Sequence, residues 1–202
     1  MNVYDFDKTI FYPDSMMQFA RFCLIRHPKL WVTYLPKLIK NAIKNAMGKE
    51  KDTVLHATLN SIVKYLDTPE KDIDKYWAKY EKNISEWYLR QKKADDLIIS
   101  ASPEYLLKPL TDKLGIQLIA TIVDMETGAM IGNVRLAREK AKYIIEKDMP
   151  MIDNFYSDSL SDMPLALLSE RAFIVKDKAK RVEPWPHLKD VSAIVHKKID
   201  ID

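Results

Sequence analysis

The feature that most constrains this chain is a strand that appears at once and then has no strand near it in sequence. Residues 2–6, Asn-Val-Tyr-Asp-Phe, alternate short polar and apolar positions and stop at Asp7-Lys8-Thr9. That pattern predicts a short strand with Asp5 and Asp7 at its C-terminal end. From Ser15 to about Gln91 the pattern is helical instead. Leu35, Leu38, Ile39, Ala42, Ile43 and Ala46 recur at three- and four-residue spacing, one apolar helix face. Pro28 and Pro36 mark a turn and a helix start or kink, and Gly48 a helix stop. Two further helical stretches follow, Val54 to Leu66 and Ile73 to Arg90.

After Lys93 the character changes. Asp96 to Ile99 is a compact apolar run ending in Ser100-Ala101-Ser102-Pro103, which reads as a buried strand feeding a helix, with Pro103 in the first helical turn. That helix, Glu104 to Leu114, stops at Gly115. Gln117–Val123 and Ala129–Val134 flank Thr127-Gly128 as a β-hairpin. Arg138–Lys147 reads as a helix, Asn154–Tyr156 as a strand, Met163–Ser169 as a short helix and Ala172–Val175 as a last strand. Strands alternating with helices predict an open parallel α/β sheet. The sheet is assigned residues 1–12 and 93–202, and an all-helical insertion residues 13–92.

Bulk properties bound the function. The 202 residues carry a formal charge of +3, too little to infer a nucleic-acid binder, and none is expected as a partner. Cys23 is the single cysteine, so no internal disulfide forms, which fits a reducing compartment. The acidic N-terminus does not read as a signal peptide, and no apolar run is long enough to span a membrane. A cytoplasmic protein is expected. The four histidines, His27, His56, His187 and His196, make no metal-ligand spacing.

Three predicted strand ends carry polar clusters: Asp5 with Asp7, Ser100 with Ser102, and Asp158 with Asp162. Open α/β sheets bind ligands beyond the carboxyl ends of their strands. Carboxylates gathered at one edge repel one another and call for a cation, and an all-oxygen set suits magnesium. Residues two apart in a strand face the same side, so Asp5 and Asp7 are expected to face one substrate. Lys140 suits neutralisation of a phosphate and support of a nucleophile. Ser100 offers a hydroxyl, and the amides opening the next helix offer donors to an anion. Ser102, before Pro103, suits either an N-cap or a phosphate contact.

Taken together, these residues resemble the four motifs of the haloacid dehalogenase superfamily. Asp5-Phe-Asp7-Lys-Thr9 resembles the first, Ile98-Ile99-Ser100 the second, Lys140 in Arg138-Glu139-Lys140 the third, and Asp158-Ser-Leu-Ser-Asp162 the fourth. The helical insertion after the first motif is similar to the cap of the phosphoserine-phosphatase-like branch. The resemblance implies a Rossmann-like core, a magnesium-dependent phosphomonoester hydrolase and an aspartyl-phosphate on Asp5. It implies that Asp7 protonates the leaving alcohol and then activates water. Asp5, the Asp7 backbone carbonyl and Asp158 would hold magnesium, with Asp162 supporting the metal shell. Ser100, Ala101 and Lys140 would bind the phosphoryl oxygens. Ala101 and Ser102 stand where the branch often has Gly-Gly, and Ser157 where it usually has Gly, so phosphoserine is not carried over as the substrate. A phosphotransferase or mutase would share every motif. A non-catalytic phosphate-binding protein would have no need of the full set of acids and lysine.

The insertion has its own character. Between Asp14 and Lys51 stand Arg21, Arg26, Lys29, Lys37, Lys40, Lys44, Lys49 and Lys51 against Asp14 and Glu50, with Phe19, Phe22, Trp31 and Tyr34 among them. One reading is a solvated basic face over an apolar face packed on the rest of the cap. The other is a surface for anionic lipid or a membrane, with a phospholipid phosphate rather than a small phosphorylated metabolite as substrate.

Overall fold

The first strand does find its partners beyond the insertion. In the computed structural model, which describes residues 1–48, 52–132, 137–147, 149 and 151–186, seven strands form one sheet. They are β1 (Asn2–Tyr4), β2 (Leu97–Pro103), β3 (Gln117–Val123), β4 (Met130–Gly132), β5 (Ile152–Ser157), β6 (Ser169–Lys176) and β7 (Arg181–Pro184), in the order β4-β3-β2-β1-β5-β6-β7. Five run parallel, and β4 and β7 close the two edges antiparallel. β1 lies between β2, where Tyr4 pairs with Ile98, and β5, where Tyr4 pairs with Tyr156. The strand order reverses at β1, and a crevice opens at such a switch point beyond the carboxyl ends.

The helices are α1 (Ser15–Arg26), α2 (Leu30–Thr33), α3 (Leu35–Ala46), α4 (Asp52–Asn60), α5 (Pro69–Tyr80), α6 (Glu86–Gln91), α7 (Glu104–Leu114), α8 (Ala137–Glu146) and α9 (Met163–Ala166). Side chains alternate across the strands. Val3, Leu97, Ile99, Phe155 and Ile174 pack with Ala141, Ile144 and Leu165 on one face. Tyr4, Ile98 and Tyr156 face the other way, and that second core runs without a break into Phe19, Phe22, Tyr76 and Trp77 of α1 and α5. The Trp77 indole donates to the Leu106 carbonyl at 2.6 Å, joining α5 to α7.

Several local expectations shift. The helix expected over Ile73–Arg90 breaks after Tyr80, because Ile84 is buried against Phe11 in a β-bridge and the Ser85 amide donates to the Ile10 carbonyl at 2.7 Å. The stretch expected as one helix to Leu66 leaves the α form after Asn60 for a 3₁₀ turn, Ser61–Tyr65. Pro103 ends β2 and occupies the N-cap of α7 rather than its first turn. β7 was not expected. The β3–β4 hairpin forms, and Gly128, at φ +70°, sits so close to the turn after α4 that an added Cβ would lie 2.8 Å from the Ser61 Cβ. Val134, Lys49, Glu50, Lys51, His187 and His196 lie outside the described residues.

Candidate active site

β1 proper stops at Tyr4, and the chain then makes a tight turn. The Phe6 carbonyl accepts from the amides of Thr9, Ile10 and Phe11, and Lys8 takes a left-handed φ of 61°. Asp7, which still forms a β-bridge with Phe11, stands at the start of that turn, one residue before Lys8. The turn gives the two carboxylates different polar partners.

Asp5 prolongs the sheet: its amide donates to the Tyr156 carbonyl at 2.9 Å. Its side chain, only 13% exposed, pairs with Lys140, whose Nζ lies 2.8 Å from Oδ1. Lys140 itself is 4% exposed and lies 3.7 Å from Asp162 Oδ1. Thr9 Oγ1 donates to Asp5 Oδ2 at 3.4 Å and accepts from the Asp158 amide at 2.9 Å, tying the end of β1 to the loop after β5. Ser157 donates to Asp162 Oδ2 at 2.7 Å. The first, third and fourth motifs thus share one contact network.

Asp7 sits in a hydroxyl and amide cage. The Ser15 amide donates to Oδ1 at 2.6 Å, and Ser102 Oγ donates to Oδ2 at 2.5 Å. The two serine hydroxyls lie 3.2 Å apart. Ser102 reaches Asp7 because the β2–β3 register slips between Ser100 and Pro103, a bulge that re-aims the chain beside the site. Ser102 is thus no N-cap. Ser100 is buried two residues beyond the pairing of Ile98 with Tyr4, and its Oγ accepts from the Ser102 amide at 3.1 Å. Ala101, between them in the bulge, is half-buried.

Burial dominates the electrostatics. It raises the Asp5 carboxyl above the ordinary range even though Lys140 pulls it down, and the charges of Asp162 and Asp158 add to the rise. Asp7 is pushed up to about 7, by burial first and then by the Asp14 charge, against the hydrogen bonds from Ser102 and Ser15. Burial alone would lower Lys140, but Asp5 and Asp162 outweigh it and hold the ammonium above its usual value. Asp158 is raised, chiefly by burial. One carboxylate held against a buried cation and another poised near neutrality is the division that pairs a nucleophile with an acid–base group.

Among the described residues, no three His, Cys, Asp or Glu side chains form a ready metal cluster. The set expected for magnesium needs only two, those of Asp5 and Asp158, with a backbone carbonyl as third ligand. The charge balance fits such an ion: Lys140 is the one buried cation among the described residues here, paired with Asp5 and Asp162, while Asp158 feels the exposed Lys8 more strongly than Lys140.

Sequence reading missed two supporting residues. Ser15 looked like no more than the start of α1, and Ser157 only like a departure from a glycine. Ser15 holds Asp7 and Ser157 holds Asp162. Their sole sequence signal was a small hydroxyl next to a motif. The largely apolar groove on α2 and α3 contains none of the motif residues.

Residues 3–167 match the sequence model of the family described as haloacid dehalogenase-like hydrolase. No curated protein matches the sequence closely. Solved structures share the fold. A protein of unknown function from Bordetella pertussis Tohama I superposes with a TM-score of 0.66 at 16% identity, covering 97% of this chain and 95% of that one. A probable phosphoserine phosphatase from Vibrio cholerae gives 0.60 at 13%, covering 85% and 55%. A phosphoserine phosphatase from T. onnurineus gives 0.51 at 18%, covering 96% and 93%.

Proposed function

The chain belongs to the haloacid dehalogenase-like hydrolase family, and on that premise we propose that it is a magnesium-dependent phosphomonoester hydrolase working through an aspartyl-phosphate on Asp5. Residues 1–12 and 93–202 are the catalytic core in this reading, and 13–92 the cap. The observation that carries it is the buried contact of Lys140 Nζ with Asp5 Oδ1 at 2.8 Å, at the end of the central strand.

Asp5 Oδ attacks phosphorus, and the P–O bond to the leaving group breaks as Asp7 delivers its proton to the departing alkoxide. Asp7, now ionised, takes a proton from water. That water attacks the phosphorus of the acyl-phosphate and releases Asp5 and inorganic phosphate. Lys140, the Ser100 hydroxyl and the Ala101 amide bind the phosphoryl oxygens, so catalysis is mainly positioning and charge neutralisation. Ser102 and Ser15 keep Asp7 oriented. Asp5, the Asp7 carbonyl and Asp158 would hold magnesium, with Asp162 supporting them. The ion supplies positive charge to the phosphoryl oxygens.

A small phosphorylated metabolite is the substrate favoured by the phosphatase-type neighbours. A phospholipid phosphate is the second reading, favoured by the exposed basic and apolar surface of α3. The test is acid quenching during turnover, followed by borohydride reduction and peptide mapping. Label confined to position 5, and lost in Asp5→Asn along with at least about a thousandfold of activity, supports the mechanism. Turnover that survives Asp5→Asn refutes it.

A further inference from the structure

The cap has an outer face that none of the described residues covers. α3 packs inward through Leu38 and through Asn41, whose amide donates to Thr58 on α4. No residue of α3 is fully buried. Leu35, Ile39 and Ile43, four residues apart, line an open groove with Pro36 and with Trp31 of α2. Ile39 is 48% exposed, Ile43 55%, Trp31 60% and Val32 79%. Scattered apolar residues on a surface need no explanation, but an aligned stripe that includes a tryptophan does. The Trp31 indole is not loose, since its Nε1 donates to the Leu24 carbonyl at 2.9 Å.

The rim decides what covers it. From Ser15 through Gly48 the chain carries six Lys or Arg (Arg21, Arg26, Lys29, Lys37, Lys40 and Lys44) and no Asp or Glu. Arg26 and Lys29 serve ion pairs with Asp72 and Asp67 inside the cap. Lys37 and Lys40 stand exposed on α3 itself, and Lys40 and Lys44 border the groove. Cations flanking an apolar stripe with an aromatic at one end are the complement of an anionic bilayer surface, where lysines meet headgroups and the stripe enters the acyl boundary. No helix among the described residues is long and apolar enough to cross a membrane.

We infer that α2 and α3 form a peripheral docking face for anionic phospholipid bilayers. The face lies outside the motif residues, so docking is independent of whether the hydrolysed phosphate is soluble or lipid-borne.

The full chain is floated with vesicles of phosphatidylcholine carrying about a third phosphatidylglycerol, and with pure phosphatidylcholine, at low and high salt. Binding to the anionic vesicles alone, weakened by salt, is expected. The double variant K37Q/K40Q should lose up to about 30-fold in partition, a factor of about five for each lysine near an anionic surface. The double variant I39S/I43S should lose more than about tenfold through the apolar area withdrawn from the membrane. Both should hydrolyse a soluble aryl phosphate like wild type, because these side chains are exposed and outside the core. Wild type that ignores anionic vesicles at low salt overturns the inference, as does equal binding to neutral vesicles. So does a wild-type dimer that I39S/I43S dissociates without any vesicle binding, which would make the stripe a self-interface.

Discussion

Asp7→Asn should stabilise the metal-free protein at pH 8 while crippling it as a catalyst. The Asp7 carboxyl titrates near 7 in the folded chain against an ordinary 3.8. Between those values the folded chain holds a proton that the unfolded chain has released, so stability falls as pH rises through the window. At pH 8 the folded chain carries the full cost of a desolvated carboxylate, up to about 4 kcal/mol from the pKa difference. Asp7 is only half-buried, and solvent screening brings the recoverable part to about 1–3 kcal/mol. Asparagine keeps the shape and both hydrogen bonds. Its oxygen accepts from the Ser15 amide and its amide donates to Ser102 Oγ, where the carboxylate now accepts. At roughly 2–4 °C per kcal/mol for a chain of this size, Tm should rise by about 2–12 °C. Urea unfolding of wild type and variant in chelator, at pH 5 and pH 8, measures the effect. The gain should shrink by more than half at pH 5, where the unfolded carboxyl is still ionised and the folded one is not. A variant equally destabilised at both pH values would refute the reasoning, since the cage would then be stabilising the carboxylate rather than straining it.

Other consequences follow from the same geometry. Lys140→Met leaves Asp5 and Asp162 facing each other without their buried cation; it should cost about 3 kcal/mol at pH 8, less at pH 5 where the Asp5 carboxyl, raised by burial to about 6, takes up a proton, and a pH-independent loss in unfolding experiments counts against the ion pair. Ser102→Ala should slow alkyl phosphates about tenfold and activated aryl phosphates less, because only a poor leaving group needs a well-aimed acid. Ser102→Thr should restore the rate, and equal losses on both substrate classes would reduce Ser102 to a packing role. Chelator should stop turnover reversibly, with magnesium restoring it and calcium doing so poorly because its larger, looser shell misplaces the reacting groups; full turnover after verified metal removal refutes the metal assignment.

The candidate site was legible in sequence because its members sit at strand ends, where local pattern is strong. Asp5, Ser100 and Asp158 each follow or close an apolar run, and a parallel sheet places such ends along one edge. The apolar run that opens β2, buried on both faces, needed no further information. Other features were invisible because they depend on residues far away in the chain. The break before Ile84 depends on Phe11 and Ile10, more than seventy residues earlier, which pair with Ile84 and Ser85. The β6–β7 hairpin turns through Asp177, Lys178 and Ala179, all left-handed without a glycine, so no turn signal announced it. Ser15, Ser102 and Ser157 became supports for carboxylates only once the turn at Lys8, the β2 bulge and the β5 loop brought them within hydrogen-bond distance. The stripe on α3 shows the division most directly. Its four-residue spacing determines that one helix face is apolar, which is a local property of the chain. Whether that face is covered depends on what the rest of the fold places against it, and here α4 takes the neighbouring side and leaves Ile39 and Ile43 open.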